Sequence, residues 1–312
     1  MIKNKLPKFL KKAIPLWLVI VLVVDFTFVT GLIEYYLMKR NFNQNLIELA
    51  KTTNDPNQLV ELLKQEVLPA KGYTTSLKWK NLGKQLVEVG AIDLKKYEQI
   101  FTSASNGQNE MKYLTGDSDD HMMINEANSR FMVNTLWALG LVNKSKVLDE
   151  GPMVKQGREK AGNFASTGGW TLGTKKPMVL YSSKKIIPLT DEQEALVKKI
   201  AENIFRPCCG NSVYFPDCNH GMAALGYIEW AVYNNLSEEQ IYKDVLAFNV
   251  AWFPDHYVKV AAYLDKQGKK WKDMEPQVLL SGEYSSGQAA QKINQAVQDI
   301  PAFKSQGGSC GA

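Results

Sequence analysis

A chain of 312 residues with 45% apolar and 22% charged side chains is long and apolar enough to bury a core, which excludes a disordered polymer. Its net charge of +5 arises from Lys3, Lys5, Lys8, Lys11 and Lys12, since positions 13–312 hold 32 basic and 32 acidic residues. The pI of 8.8 therefore reflects the leading segment, and a nucleic-acid binder, which carries its basic stripe on the folded domain, is excluded.

In chain order, residues 1–12 read as a basic cytoplasmic tail. Residues 13–38, AIPLWLVIVLVVDFTFVTGLIEYYLM, are apolar over a length that crosses about 30 Å of hydrocarbon as a helix. The segment lacks the shorter apolar stretch and small-residue cleavage site of a secretory signal. The predicted protein is thus mainly α, with an N-terminal transmembrane helix followed by an extracytoplasmic helical domain with a small irregular or hairpin insertion. Five lysines before the span and only Lys39 and Arg40 close behind it put the N-terminus in the cytoplasm, giving a single-pass cell-membrane protein. Asp25, inside the span, reads either as a contact with a partner helix or a second copy, or as a protonated aspartate that is merely tolerated.

Residues 41–105 are expected to form an N-terminal helical subdomain. Pro56 opens QLVELLKQEVL, and in LGKQLVEVGAIDLKKYEQIF Gly90 ends one helix and Asp93 caps the next. Residues 103–120 read as a polar loop. Asp117, Asp119, Asp120 and His121 could converge on a hard cation such as calcium, but a charged cap on a helix starting near His121 explains them better. A second helical domain is expected over 120–300, with an apolar helix at 122–142. The Gly-rich stretch Gly162–Gly173, carrying Ser166, Thr167 and Trp170, reads as a turn or hairpin with PMVLYSS as one strand, or as the wall of a ligand cleft. It lacks the P-loop ending and the G-x-S-x-G elbow.

Thr190 and Gln193 form a capping box for TDEQEALVKKIAENIF, which ends at FRPCCGNSVYFPDCNHG. Cys208, Cys209, Cys218 and His220 fall within thirteen positions. With Asp217 or Asn219 as cap, Cys218 and His220 stand at the start of a helix running to Tyr233, where partial positive charge favours thiolate. A Cys/His set of this kind holds a soft ion, zinc or copper. Adjacent cysteines are an unusual ligand pair, and in an oxidising compartment the alternatives are a disulfide, with Cys310 of the 301–312 tail as a further partner, or a redox-active thiol pair. Ser237 and Gln240 cap the next helix, and Pro254 breaks it, placing Asp255 and His256 at a fresh helix start.

Pro207, Cys208, Cys209, Asp217 and Cys218 resemble the Pro-Cys-rich (PCYC-type) element, followed by Asp-Cys, of uncharacterised bacterial membrane-associated proteins. The resemblance covers about twelve residues and implies a metal or thiol role. Here the cysteines are adjacent, the gap is shorter and no lipoprotein cysteine lies near the N-terminus. The sequence thus predicts soft-metal binding by Cys208, Cys209, Cys218, His220 and His256. The alternatives are a disulfide-stapled cell-envelope interaction protein, or a thiol- or metal-dependent enzyme with Glu229 or Asp255 as general base.

Overall fold

The computed structural model describes residues 56–68 and 71–303, and before them residues 15, 17, 19, 21–34 and 37. The chain divides into two units, Met1–Leu59 and Val60–Ala312.

In the first unit, residues 17, 19, 21–34 and 37 are helical (α1), and apolar side chains there, such as Phe26 and Phe28, are exposed. Among the described residues no helix is long and apolar enough to cross a membrane. The expected anchor at 13–38 is therefore corrected. So are the single-pass membrane location and the extracytoplasmic placement of the main domain, which rested on that anchor alone. The basic tail at 1–12 lies outside the described residues, as does Cys310.

The second unit is mainly helical, as expected. It begins within α2 (Pro56–Val67), followed by β1 (Tyr73–Lys80), α3 (Leu82–Glu88) and α4 (Leu94–Ile100). Strand β2 (Ser118–Ile124) precedes α5 (Ser129–Val142), α6 (Lys146–Glu150), α7 (Ala165–Gly168) and α8 (Pro177–Leu180). The C-terminal half holds α9 (Asp191–Glu202), α10 (Asn219–Tyr233), α11 (Glu238–Trp252) and α12 (Pro254–Lys266). Three short helices follow, α13 (Pro276–Leu279), α14 (Gly282–Ser285) and α15 (Gly287–Ala296).

The capping chemistry matches the sequence. Gly90 follows α3 at φ 79°, Asp93 accepts from the backbone of Lys95 and Lys96, and Thr190 and Gln193 form a reciprocal box. Ser237 accepts from the Gln240 amide as expected, but the Gln240 side chain turns instead to Asp244 and the Tyr73 hydroxyl. Pro254 opens α12 immediately after α11 ends.

The strands were missed. β1 pairs antiparallel with β2 and alternates, with Thr75, Leu77 and Trp79 buried. The segment at 41–105 is therefore not purely helical, and no helix starts at His121. The acids of β2 are held by neighbouring cations: Asp119 pairs with Lys80, Asp120 with Lys112 at 2.8 Å, and the His121 ring meets the Thr75 carbonyl at 3.0 Å. Calcium and helix-cap readings of this stretch are both replaced by cross-strand and loop ion pairs. PMVLYSS is likewise not a strand, because Pro177–Leu180 makes one helical turn.

The core forms where α5 packs on α10. A side chain at Gly140 would collide with the Met222 carbonyl, and one at Gly226 would lie 2.5 Å from the Leu136 carbonyl, so the two glycines let the backbones approach closely. Residues Gly221 to Val232 of α10 are buried on every side. A helix apolar all round belongs in a core, and this one carries the Cys218 end with it.

Candidate thiol site

The loop between α9 and α10 folds back on itself. Val213 donates to the Ile204 carbonyl at 2.8 Å, Tyr214 to Ala201 at 3.0 Å, and Phe205 bridges to Ser212. Pro207 turns the chain so that the Cys209 amide meets the Arg206 carbonyl at 3.4 Å, and the Gly287 amide at the start of α15 donates to the Cys209 carbonyl at 2.7 Å. The result brings the Sγ atoms of Cys208, Cys209 and Cys218 within 4.8 Å of one another, with Cys208 and Cys218 only 3.3 Å apart.

Cys218 is itself the N-cap of α10, in place of the expected Asp217 or Asn219. Its sulfur accepts from the Gly221 amide at 3.4 Å. A sulfur in that position faces the free N–H groups and partial positive charge of the helix start.

Arg206, 1% exposed, completes the arrangement. Its Nε donates to Cys218 Sγ at 3.1 Å, its Nη1 to the Asn211 carbonyl at 2.8 Å, and its Nη2 to the Phe215 carbonyl at 3.0 Å and to Asp217 Oδ1 at 2.5 Å. Asn211 Nδ2 holds the other Asp217 oxygen at 2.8 Å. A buried guanidinium is tolerated only when its donors are met by partners of opposite charge or by carbonyls, and here they are. The side chain lies so close to α10 that a Cβ at Gly221 would sit 2.6 Å from its Cζ, which explains glycine at that position.

These contacts divide the thiols. Hydrogen bonds from Cys208 and Cys209, together with the Arg206 charge, hold the Cys218 thiol well below its usual range despite burial, which favours its thiolate form. Cys208, which donates to that thiolate and is buried, is pushed far up. At Cys209 the Cys208 hydrogen bond pulls down, but the interaction with Cys218 and burial prevail and leave it at about 11.

The two expected histidine ligands do not join the cluster. His220 packs on Phe253, ring centroids 4.4 Å apart, with its Nδ1 buried and unpartnered among the described residues, and burial lowers it to about 4. His256 places Nε2 2.8 Å from the Tyr284 carbonyl, and burial lowers it to about 4 as well. The proposed general bases also lie elsewhere. Glu229 is fully buried three turns along α10, about 16 Å from Cys218 along the helix axis, and Asp255 is exposed at the start of α12.

Within Gly162–Gly173, Trp170 is buried and donates to the Ala91 carbonyl at 2.9 Å, while the Leu172 carbonyl accepts from Asp93 at 2.7 Å. That stretch mainly docks the turn between α3 and α4. Ser166 and Thr167 are fully buried, so neither is placed to act as a nucleophile. Sequence reasoning missed Arg206. The available signal was a lone arginine immediately before Pro-Cys-Cys, with Asp217 beside Cys218 eleven residues on.

Comparisons with protein-family models, with characterised proteins and with solved structures return no match.

Proposed function

We propose that the second unit binds one soft divalent metal ion through Cys208, Cys209 and Cys218, with Arg206 as a fixed counter-cation. The observation that carries this reading is the convergence of three sulfurs around a buried guanidinium. Thiolates bound to zinc at about 2.3 Å stand roughly 3.8 Å from one another in a tetrahedron, and sulfurs already within 4.8 Å reach that spacing by small rotations. Three thiolates around a divalent ion leave one net negative charge beside the Arg206–Asp217 pair. A monovalent copper ion would leave two, next to the Asp217 carboxylate, so zinc fits better than copper. Three protein ligands also leave one tetrahedral position for an external donor.

The 3.3 Å separation of Cys208 and Cys218 favours one second reading, a disulfide between them, which needs an approach of about 1.3 Å. Elemental analysis with thiol titration on the full chain, prepared reduced and loaded with zinc, separates the two. About one equivalent of zinc that is lost in Cys218→Ser supports the metal reading. Failure of the reduced protein to retain zinc against a weak chelator overturns it, and two thiols that disappear on mild oxidation then support the disulfide.

A further inference from the structure

A cavity of about 420 Å³ opens beside the thiol loop. Its floor is apolar, made by Pro152, Met153, Phe164 and Phe215, and the exposed side chains of Lys155, Gln156 and Lys160 complete its lining. Phe164 and Phe215 meet edge to face, 5.2 Å between centroids, giving one rigid aromatic wall. The volume falls in the range of about 300–1,000 Å³ that suits small organic ligands.

Charge decides what kind of ligand fits. Arg158, between the two lysines in sequence, is committed to Asp149 at 2.6 Å and to the face of Tyr181. Glu159 turns its carboxylate back beside Gly157, away from the lining. The ammonium groups of Lys155 and Lys160 have no ion pair or hydrogen bond among the described residues, and no acidic side chain lines the cavity. An apolar floor with two uncommitted cations complements a molecule with an apolar body and an anionic head.

We infer that this cavity binds a small carboxylate with an apolar body, the body on Met153, Phe164 and Phe215 and the carboxylate between Lys155 and Lys160. The site uses no thiol and stands apart from the metal reading. Phe164 belongs to the Gly-rich stretch for which the sequence offers a ligand cleft as one reading.

Octanoate, octanol and acetate, titrated into the full chain and followed by NMR at the Met153 methyl, test the inference. Octanoate should bind saturably and at least about tenfold more tightly than either of the others, because only it engages both floor and cations. In Lys155→Gln/Lys160→Gln, two exposed substitutions, octanoate affinity should fall to that of octanol. Phe164→Ala should weaken octanoate and octanol alike. Absence of a saturable shift in the parent, or octanoate affinity unchanged in the double lysine variant, would overturn the inference.

Discussion

Helix α10 buries an ionisable group at each of two places and treats them in opposite ways. At its start, Cys218 is shifted toward its ionised form by the helix N–H groups, two thiols and a buried arginine. Three turns on, Glu229 is fully buried with one hydrogen bond, from Asn143 Nδ2 at 2.9 Å to Oε2, while Oε1 is unpartnered among the described residues. Burial pushes that carboxyl up to about 8, so it is largely protonated at neutral pH. A helix end supplies free donors and favourable potential for an anion; a helix middle has spent its amides on itself. Glu229, fully buried in the helix middle, is driven toward its neutral form, whereas the half-buried Cys218 at the helix end is driven toward its charged one.

The pH dependence follows with opposite signs. Glu229 holds its proton in the folded state above the pH at which the unfolded chain releases it. Its contribution is fully present below about 4.5 and is lost as pH rises through about 8. In the metal-free protein Cys218 is the reverse case. Its depressed value makes folding more favourable as pH rises toward 9.0, and that contribution is lost as pH falls through the folded value.

The sharpest way to break the contrast is Arg206→Met. Removing the cation leaves a buried thiolate and Asp217 without their partner, and stability measured by denaturant titration should fall by about 3–5 kcal/mol. Ultraviolet thiolate absorbance should show the Cys218 pKa rising; an unchanged titration would mean that the arginine does not hold the charge. Glu229→Gln should act the other way. It fixes the neutral form, flattens stability between about pH 4.5 and 8, and leaves the variant more stable than the parent at pH 8 by up to about 4 kcal/mol. Persistence of the parental slope would assign it to another group. Gly221→Ala should have the smallest effect, about 1–3 kcal/mol from displacing the guanidinium, with a partial rise in the Cys218 pKa. A Cys218 titration identical to the parent's would show that the arginine tolerates the displacement.

Local signals in the sequence carried much of this architecture. Caps and breakers such as Asp93, Thr190, Ser237 and Pro254 act within a few residues, so their helices could be placed without tertiary knowledge. The convergence of Cys208, Cys209 and Cys218 was legible for the same reason, since one short loop holds all three. Strands β1 and β2 were not, because their pairing joins residues about 45 apart, such as Lys78 and His121, and the acids of β2 imitate a polar loop. The apolar run at 13–38 suggested a membrane span from composition alone, whereas no helix among the described residues is long and apolar enough to cross a membrane. Arg206 was invisible because an arginine before a proline looks like any surface charge until the loop closes over it.

The glycine contact between α5 and α10 has a mechanical consequence for the thiols. With Gly140 and Gly226 letting the two backbones approach closely, α10 is packed tightly against α5, and Cys218 caps that buried helix. Cys208 and Cys209 sit on a turn held mainly by backbone hydrogen bonds. The site proposed above would therefore draw one ligand from the end of a packed core helix and two from a loop turn that folds back onto it.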